Sequence, residues 1–320
     1  MKILITGTAG FIGMHVAEAL LGEGHDVVGI DNFNDYYSVQ LKKDRHSRLE
    51  QSPNYTAVVG NLADEALLSR VFSEHRFDRV CHLAAQAGVR YSLENPMAYE
   101  KSNLHAFINI LEACRHAESL PRLVYASSSS VYGGNQDLPF TESQAVDHPV
   151  SLYAATKKAN ELMAHAYTHL FGLQTIALRF FTVYGPWGRP DMAMWLFTEA
   201  MLAGRPIKVF NHGRMQRDFT YIDDIVNGVK ACLLRDGLDP YEVFNIGNHR
   251  SENLLDLIEL IGQTLGIEPQ MTMLPMQPGD VPATYADIEQ ARTKLGFEPT
   301  TPIAEGVPRF IDWFRNYHGS

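Results

Sequence analysis

Tyr153 and Lys157 stand four residues apart, and four consecutive serines, Ser127 to Ser130, precede Tyr153 by 23 to 26 residues. A hydroxyl, a phenol and an ammonium are the parts of a proton-handling set. On a helix, residues four apart share a face, one above the other. A Lys157 cation beside Tyr153 favours the phenolate and draws its pKa down from about 10, so that it can act as a general base. The same spacing occurs on ordinary solvated helix faces. The pair therefore takes its meaning from the elements around it.

Those elements alternate. Short apolar or β-branched runs at 2–6, 26–30, 55–59, 79–83, 122–126 and 174–180 predict strands, with helices over 11–23, 64–75, 98–117 and 151–171 between them. Near-continuous apolar strands separated by helices predict an α/β fold, a doubly wound parallel sheet covered on both faces. A further strand at 242–246 joins it late. Beyond 180, prolines from Pro186 to Pro308 break the chain into short pieces. The expectation is a nucleotide-binding domain over 1–180 with a segment near 222–250 returning to it. Residues 181–320 mainly form a smaller α/β substrate domain at the sheet's carboxyl edge.

The first strand runs into Gly7-Thr8-Ala9-Gly10-Phe11-Ile12-Gly13 and then a helix. Glycines at this turn let a backbone approach a pyrophosphate, and the helix N-terminus offers free N–H groups. This is the Rossmann arrangement. Asp31 ends the second strand, 18 residues after Gly13, where an acid takes the adenosine ribose hydroxyls. Asn32 follows and no arginine does, so NAD is favoured over NADP. Asn61-Leu62 and Leu83-Ala84-Ala85-Gln86 lie at further strand carboxyl ends, where ligands of open α/β sheets bind.

Composition narrows the field. The 320-residue chain carries a net charge of −10, and no run of Lys and Arg exceeds two. Nucleic-acid binding, which needs clustered cations, is excluded as an expectation. An acidic chain with an anionic substrate must gather its cations locally. Cys81, Cys114 and Cys232 are far apart and read as reduced thiols of a cytoplasmic protein. No apolar stretch reaches membrane-spanning length. The 13 histidines show no metal-ligand spacing, so no metal site is expected.

Taken in order, these pieces resemble the extended short-chain dehydrogenase/reductase family, in its nucleotide-sugar epimerase branch. They are Thr6 to Gly13, Ile30-Asp31-Asn32-Phe33, His82 to Ala85, Ser127 to Gly133, Tyr153-x3-Lys157, Leu178-Arg179-Phe180-Phe181, Tyr184-Gly185-Pro186 and Arg217-Asp218-Phe219. The resemblance implies a tightly held NAD, a homodimer and a role in nucleotide-sugar metabolism and polysaccharide biosynthesis. It implies that Tyr153 takes a proton from a sugar hydroxyl while the carbon beneath gives hydride to NAD⁺. Ser128 then holds the developing carbonyl and Lys157 also bonds the nicotinamide ribose. Asn103 and Phe180 join the cofactor contacts. Ser129, Ser130 and Thr182 lie beside the sugar, Arg217 binds the diphosphate, Asp280 the nucleotide ribose, and Arg90 faces the anionic substrate.

Dehydratases of the family resemble Thr-Asp-Glu before the Val-Tyr-Gly, and decarboxylases carry a glutamate just before that valine. Here Ser129 and Ser130 precede Val131, and a hydroxyl cannot do carboxylate acid–base work. A ketone formed here waits for its hydride to return, which implies C4 epimerisation. Arg189, in Gly185-Pro186-Trp187-Gly188-Arg189-Pro190-Asp191, is similar to the uronate branch, as are Asn34-Asp35-Tyr36-Tyr37, Leu41 to Arg45 and Gln277-Pro278-Gly279-Asp280. A guanidinium fork suits a carboxylate. The implied substrate pair is UDP-glucuronate and UDP-galacturonate. UDP-glucose epimerisation, UDP-glucuronate decarboxylation and a catalytically silent NAD-binding regulator are the alternatives.

Overall fold

In a computed structural model, which describes residues 1–277 and 279–319, the apolar runs of the first half form one parallel sheet. Its strands are β1 (Lys2–Thr6), β2 (Asp26–Asp31), β3 (Tyr55–Val59), β4 (Arg79–His82), β5 (Arg122–Ser128), β6 (Thr175–Phe180) and a seventh, Tyr241–Ile246. The order across the sheet is Tyr241–Ile246, β6, β5, β4, β1, β2, β3, every neighbouring pair parallel. Alternate side chains of a strand enter opposite cores. Ile3 and Ile5 join one apolar cluster with Met14 and Val16, whereas Leu4 joins the other with Leu67, Leu68 and Phe107. Burial on both faces explains why these strands read as unbroken apolar runs.

Chain direction across the sheet reverses at β1, which lies between β2 and β4. The strands' carboxyl ends there open into a crevice, the position where doubly wound sheets bind ligands. Helix α1 (Phe11–Gly22) leaves the first turn, and α3 (Glu65–Glu74) follows β3. The helix Leu152–Phe171 starts at Ser151, whose side chain accepts from the Ala154 N–H at 3.1 Å, and ends at Gly172. It carries Tyr153 and Lys157 towards the crevice.

Local structure departs from the sequence expectation at several points. β5 continues to Ser128, so the serine tract straddles a strand end. The expected helix 98–117 is interrupted: Pro96–Tyr99, a π-helical turn over Glu100–His105, then Ala106–His116. An unforeseen helix, α2 (Val39–Leu49), follows the second strand, capped by Ser38. Asp223 and Asp224 lie inside the first turn of Ile222–Leu234. Asp224 accepts from the Thr300 and Thr301 N–H groups at 3.0 and 3.1 Å and so fastens a later segment.

The second half adds short strands that complete the crevice wall. Thr182–Tyr184 pairs with Phe219–Tyr221, Gln216–Arg217 with Glu252–Asn253, and Ile207–Val209 with Met271–Met273. Pro278, part of the Gln277 to Asp280 motif, lies outside the described residues.

Candidate active site

The strand ends enclose a cleft of about 1090 Å³. Every residue expected in the site lines it, with one exception. Asn103 is buried away from it: its amide accepts from the Gln86 N–H at 2.8 Å and donates to the Gln86 carbonyl and Thr156 Oγ1, both at 3.0 Å. These bonds give it a positioning role. It joins the Gln86 loop to the helix that carries Tyr153.

At the nucleotide end the fit to a dinucleotide is steric. Gly7 has φ +80°, and a Cβ there would lie 2.8 Å from the Ala84 nitrogen; at Gly13 it would lie 2.0 Å from the Gly7 carbonyl oxygen. Any larger residue collides with backbone at the turn. Gly10 caps α1 with no side-chain bond, so the first N–H groups of the helix remain for a ligand. The Asp31 carboxylate accepts from the Ala9 and Phe33 N–H groups, each at 2.9 Å. Each oxygen keeps a lone pair for a ribose hydroxyl, so Asp31 shapes the loop and also faces the cleft. Asn61 Oδ1 accepts from the Ala63 N–H at 3.0 Å, which leaves its amide donors.

In the middle, strand alternation separates two serines. The Ser127 hydroxyl donates to Glu161 at 2.7 Å, inside a buried Glu161–Arg179 pair. Ser128 lines the cleft with Tyr153; its Oγ donates to Ser130 Oγ and accepts from the Ser130 N–H, both at 3.2 Å. Burial pushes the Tyr153 phenol up, while the Ser128 hydroxyl and the Arg189 charge pull it down. Lys157 donates to the Ala126 carbonyl at 2.8 Å, and burial lowers its pKa to about 8. In the protein alone, Ser128 and Arg189 ease ionisation of Tyr153, while the Lys157 ammonium is turned to the Ala126 carbonyl.

At the far end, Arg90 approaches Asp280 at 3.6 Å, and Arg217 donates to the Gln216 and Pro282 carbonyls. Arg189 pairs with Asp191. Thr182 lines the wall between. Lys42, marked only as part of the Leu41 to Arg45 resemblance, also lines the cleft, as do Arg205, Lys208 and Phe210, which the sequence did not single out. Cationic residues opposite an anionic ligand were anticipated as a class, but Lys42, Arg205 and Lys208 carried no spacing signal of their own.

Arg45 was marked only through the same resemblance. This fully buried guanidinium donates to the Ala9 carbonyl at 3.1 Å, the Trp187 carbonyl at 2.7 Å, the Gly188 carbonyl at 2.8 Å and the Tyr37 hydroxyl at 2.7 Å. Nearby, His15 Nε2 donates to the Pro186 carbonyl at 2.9 Å; burial lowers its pKa to about 4, so the ring is neutral at pH 7. The glycine turn and the Arg189 loop are thus held as one piece.

A doubly wound sheet with a glycine-lined first turn and a Ser–Tyr–Lys set at its carboxyl edge defines an extended short-chain dehydrogenase/reductase. The chain belongs to the family described as GDP-mannose 4,6 dehydratase, whose model matches residues 4–310. It is 46% identical to a probable UDP-glucuronate 4-epimerase of Rhizobium meliloti (strain 1021), over 99% of this chain and 98% of the relative. It is also 46% identical to UDP-glucuronate 4-epimerase 4 of Arabidopsis thaliana, over 99% of this chain and 76% of the relative. Among solved structures it superposes, with TM-score 0.94 and 35% identity, on UDP-glucuronic acid 4-epimerase from Bacillus cereus in complex with UDP-glucuronic acid and NAD. That match covers 99% of this chain and 100% of the other.

Two outcomes follow from this geometry. Arg45→Ala leaves buried carbonyls unpaired and should cost about 3 kcal/mol, roughly 5 °C in Tm for a chain of this size. Thermal melts check this, and an unchanged Tm would deny Arg45 its bracing role. The limb of kcat/KM that rises with pH reports Tyr153 ionisation. Ser128→Ala and Arg189→Met each remove an influence that lowers the Tyr153 pKa, so each should move the limb to higher pH. A pH–rate profile with the limb unmoved in both would rule out that coupling.

Proposed function

We infer that the protein is an NAD-dependent 4-epimerase that interconverts UDP-glucuronate and UDP-galacturonate. The observation that carries this reading is the charge inventory of the cleft. Among the described residues its lining holds seven cations, Lys42, Arg90, Lys157, Arg189, Arg205, Lys208 and Arg217, against three carboxylates, Asp31, Asp191 and Asp280. In a chain of net charge −10, this concentration suits a nucleoside diphosphate whose sugar adds a further negative charge. Asp31 is bonded to backbone, Asp191 to Arg189 and Asp280 lies beside Arg90.

None of the three is free for acid–base work on the sugar, and Ser129 and Ser130 occupy the positions before Val131. A dehydration step has no carboxylate to drive it, and none is placed to protonate C5 after loss of CO₂. Gly7, Gly10, Gly13, Asp31, Asn61 and the Leu83 to Gln86 strand end would hold NAD, which supplies the acceptor that takes and returns a hydride. Tyr153 removes the proton of the C4 hydroxyl and later returns one to the same oxygen. Ser128 donates to the developing carbonyl oxygen and keeps it against the phenol. Lys157 lends its charge to the phenolate. Inversion requires the ketone to present its opposite face before the hydride returns. Arg189 opposes the sugar carboxylate, and that choice separates a uronate from the neutral UDP-glucose.

The same reading divides the chain at about residue 180, with residues 222–250 returning to the nucleotide half and Arg90, Arg217 and Asp280 gripping the diphosphate and ribose. It places the enzyme in the cytoplasm, where buried free Cys81, Cys114 and Cys232 stay reduced, and in polysaccharide precursor synthesis. It also makes the protein a homodimer. Ile108, Leu162, Leu170 and Phe171 are exposed along the helices Ala106–His116 and Leu152–Phe171, an apolar surface suited to a second copy.

Purified protein incubated with UDP-glucuronate and no added NAD should form UDP-galacturonate, separated chromatographically. A UDP-pentose as the product, or no reaction, would contradict the reading. Tyr153→Phe should lower turnover at least about 10²-fold; turnover within a few-fold of the parent would remove Tyr153 from the chemistry. Leu162→Glu with Leu170→Glu should halve the mass in sedimentation, and an unchanged mass would move the dimer interface elsewhere.

A further inference from the structure

Arg189 presents two edges, and among the described residues only one is taken. Its Nε donates to Asp191 Oδ1 at 3.0 Å and its Nη2 to Asp191 Oδ2 at 2.5 Å. That side-on pairing uses two of five N–H donors. The end-on edge, formed by Nη1 and the second N–H of Nη2, keeps bidentate geometry for another carboxylate. Asp191 is itself held from the nucleotide half of the molecule: the Tyr36 hydroxyl donates to its Oδ2 at 3.1 Å. The same loop is fixed at Pro186 by His15 and at Trp187 and Gly188 by Arg45. Burial pushes the Asp191 carboxyl up, but the Arg189 charge and hydrogen bonds hold it below the usual carboxylate range. It therefore stays an anionic acceptor at any working pH.

Resting on the uronate reading above, we propose that Asp191 and Tyr36 are positioning residues for carboxylate recognition, which fix Arg189 side-on so that its end-on edge meets the substrate carboxylate. The arrangement serves a chemical need. The 4-keto uronate is a β-keto acid. In its side reaction the bond from C5 to the carboxylate breaks, CO₂ leaves, and the electron pair, delocalised through the ketone, is protonated at C5. That cleavage requires the breaking bond to align with the carbonyl π system. A guanidinium pinned on its other edge can hold the carboxylate out of that alignment, whereas a freely rotating one follows it. Asp191 also balances the Arg189 charge, so the substrate carboxylate is oriented without being trapped.

The test compares Asp191→Asn and Tyr36→Phe with the parent enzyme on UDP-glucuronate, with KM, kcat and the ratio of UDP-galacturonate to UDP-pentose and UDP-4-keto-pentose as readouts. Asp191→Asn should raise KM about tenfold and release decarboxylated product. Inhibition by UDP, which has no sugar carboxylate, should stay within about twofold. Tyr36→Phe should shift both readouts in the same sense by about threefold, and it decides the matter if Asp191→Asn does not fold. A merely structural role would lower kcat or bound NAD without altering the product ratio, and would overturn the proposal. So would a lower KM in Asp191→Asn, which would make Asp191 a competitor for Arg189. Absence of UDP-galacturonate from the parent enzyme would defeat the uronate reading and this proposal with it. Normal parent turnover with unaffected variants would defeat the positioning role alone.

Discussion

A buried guanidinium is costly unless its donors are matched, because desolvating the charge outweighs whatever its contacts return when any of them fails. At Arg45 burial pushes the pKa down, and the Tyr37 hydroxyl offsets it. The remaining compensation comes from three main-chain carbonyls, of Ala9, Trp187 and Gly188. These belong to the two loops that must be in register for any reaction here. Ala9 lies in the glycine turn that would carry a pyrophosphate. Trp187 and Gly188 lead directly to Arg189. Satisfying one side chain therefore sets the distance between the cofactor cradle and the group that opposes the sugar.

The chemistry follows from what that register brings together and what it leaves out. Tyr153 receives its ionising help from the Ser128 hydroxyl and from a cation on a different loop, so the base and the carboxylate anchor are electrostatically linked. A substrate carboxylate arriving at Arg189 changes the field felt by the phenol. No carboxylate beside the sugar is free among the described residues, so an oxidised intermediate has no partner for elimination and its simplest exit is reduction. Relatives that share the cradle and the Tyr–Lys pair can reach other outcomes through the two positions before the valine. The fold sets the hydride chemistry, and those few side chains set its end.

Much of this was legible in the sequence. Apolar runs buried on both faces marked the strands, because no solvent-facing alternation diluted them. Gly7 and Gly13 marked the cradle, because their Cβ positions are filled by backbone. What stayed hidden was polar. Helix α2 has few apolar residues, and its buried side chains include Lys42 and Arg45, the reverse of the usual helical pattern. Nothing in local spacing distinguishes a buried arginine from a solvated one when its acceptors are carbonyls more than 140 residues away. The π turn over Glu100–His105 was read as plain helix, because inserting one residue alters which side chain points inward without altering composition. Asn103, given to the cofactor by resemblance, is bonded to Gln86 and Thr156, partners that no local spacing indicates. Ser128 was singled out by resemblance alone; the strand that runs through both serines supplies the physical reason, because alternation turns Ser127 to Glu161.

The central claim is that one bound cofactor takes hydrogen from C4 and returns the same hydrogen to C4. UDP-glucuronate carrying deuterium at C4 tests it directly, with the product examined by mass spectrometry and proton NMR. The account predicts UDP-galacturonate that retains the deuterium at C4, at unchanged mass and without exchange into unlabelled substrate present in the same tube. Loss of the label to solvent, or its transfer between substrate molecules, would contradict it.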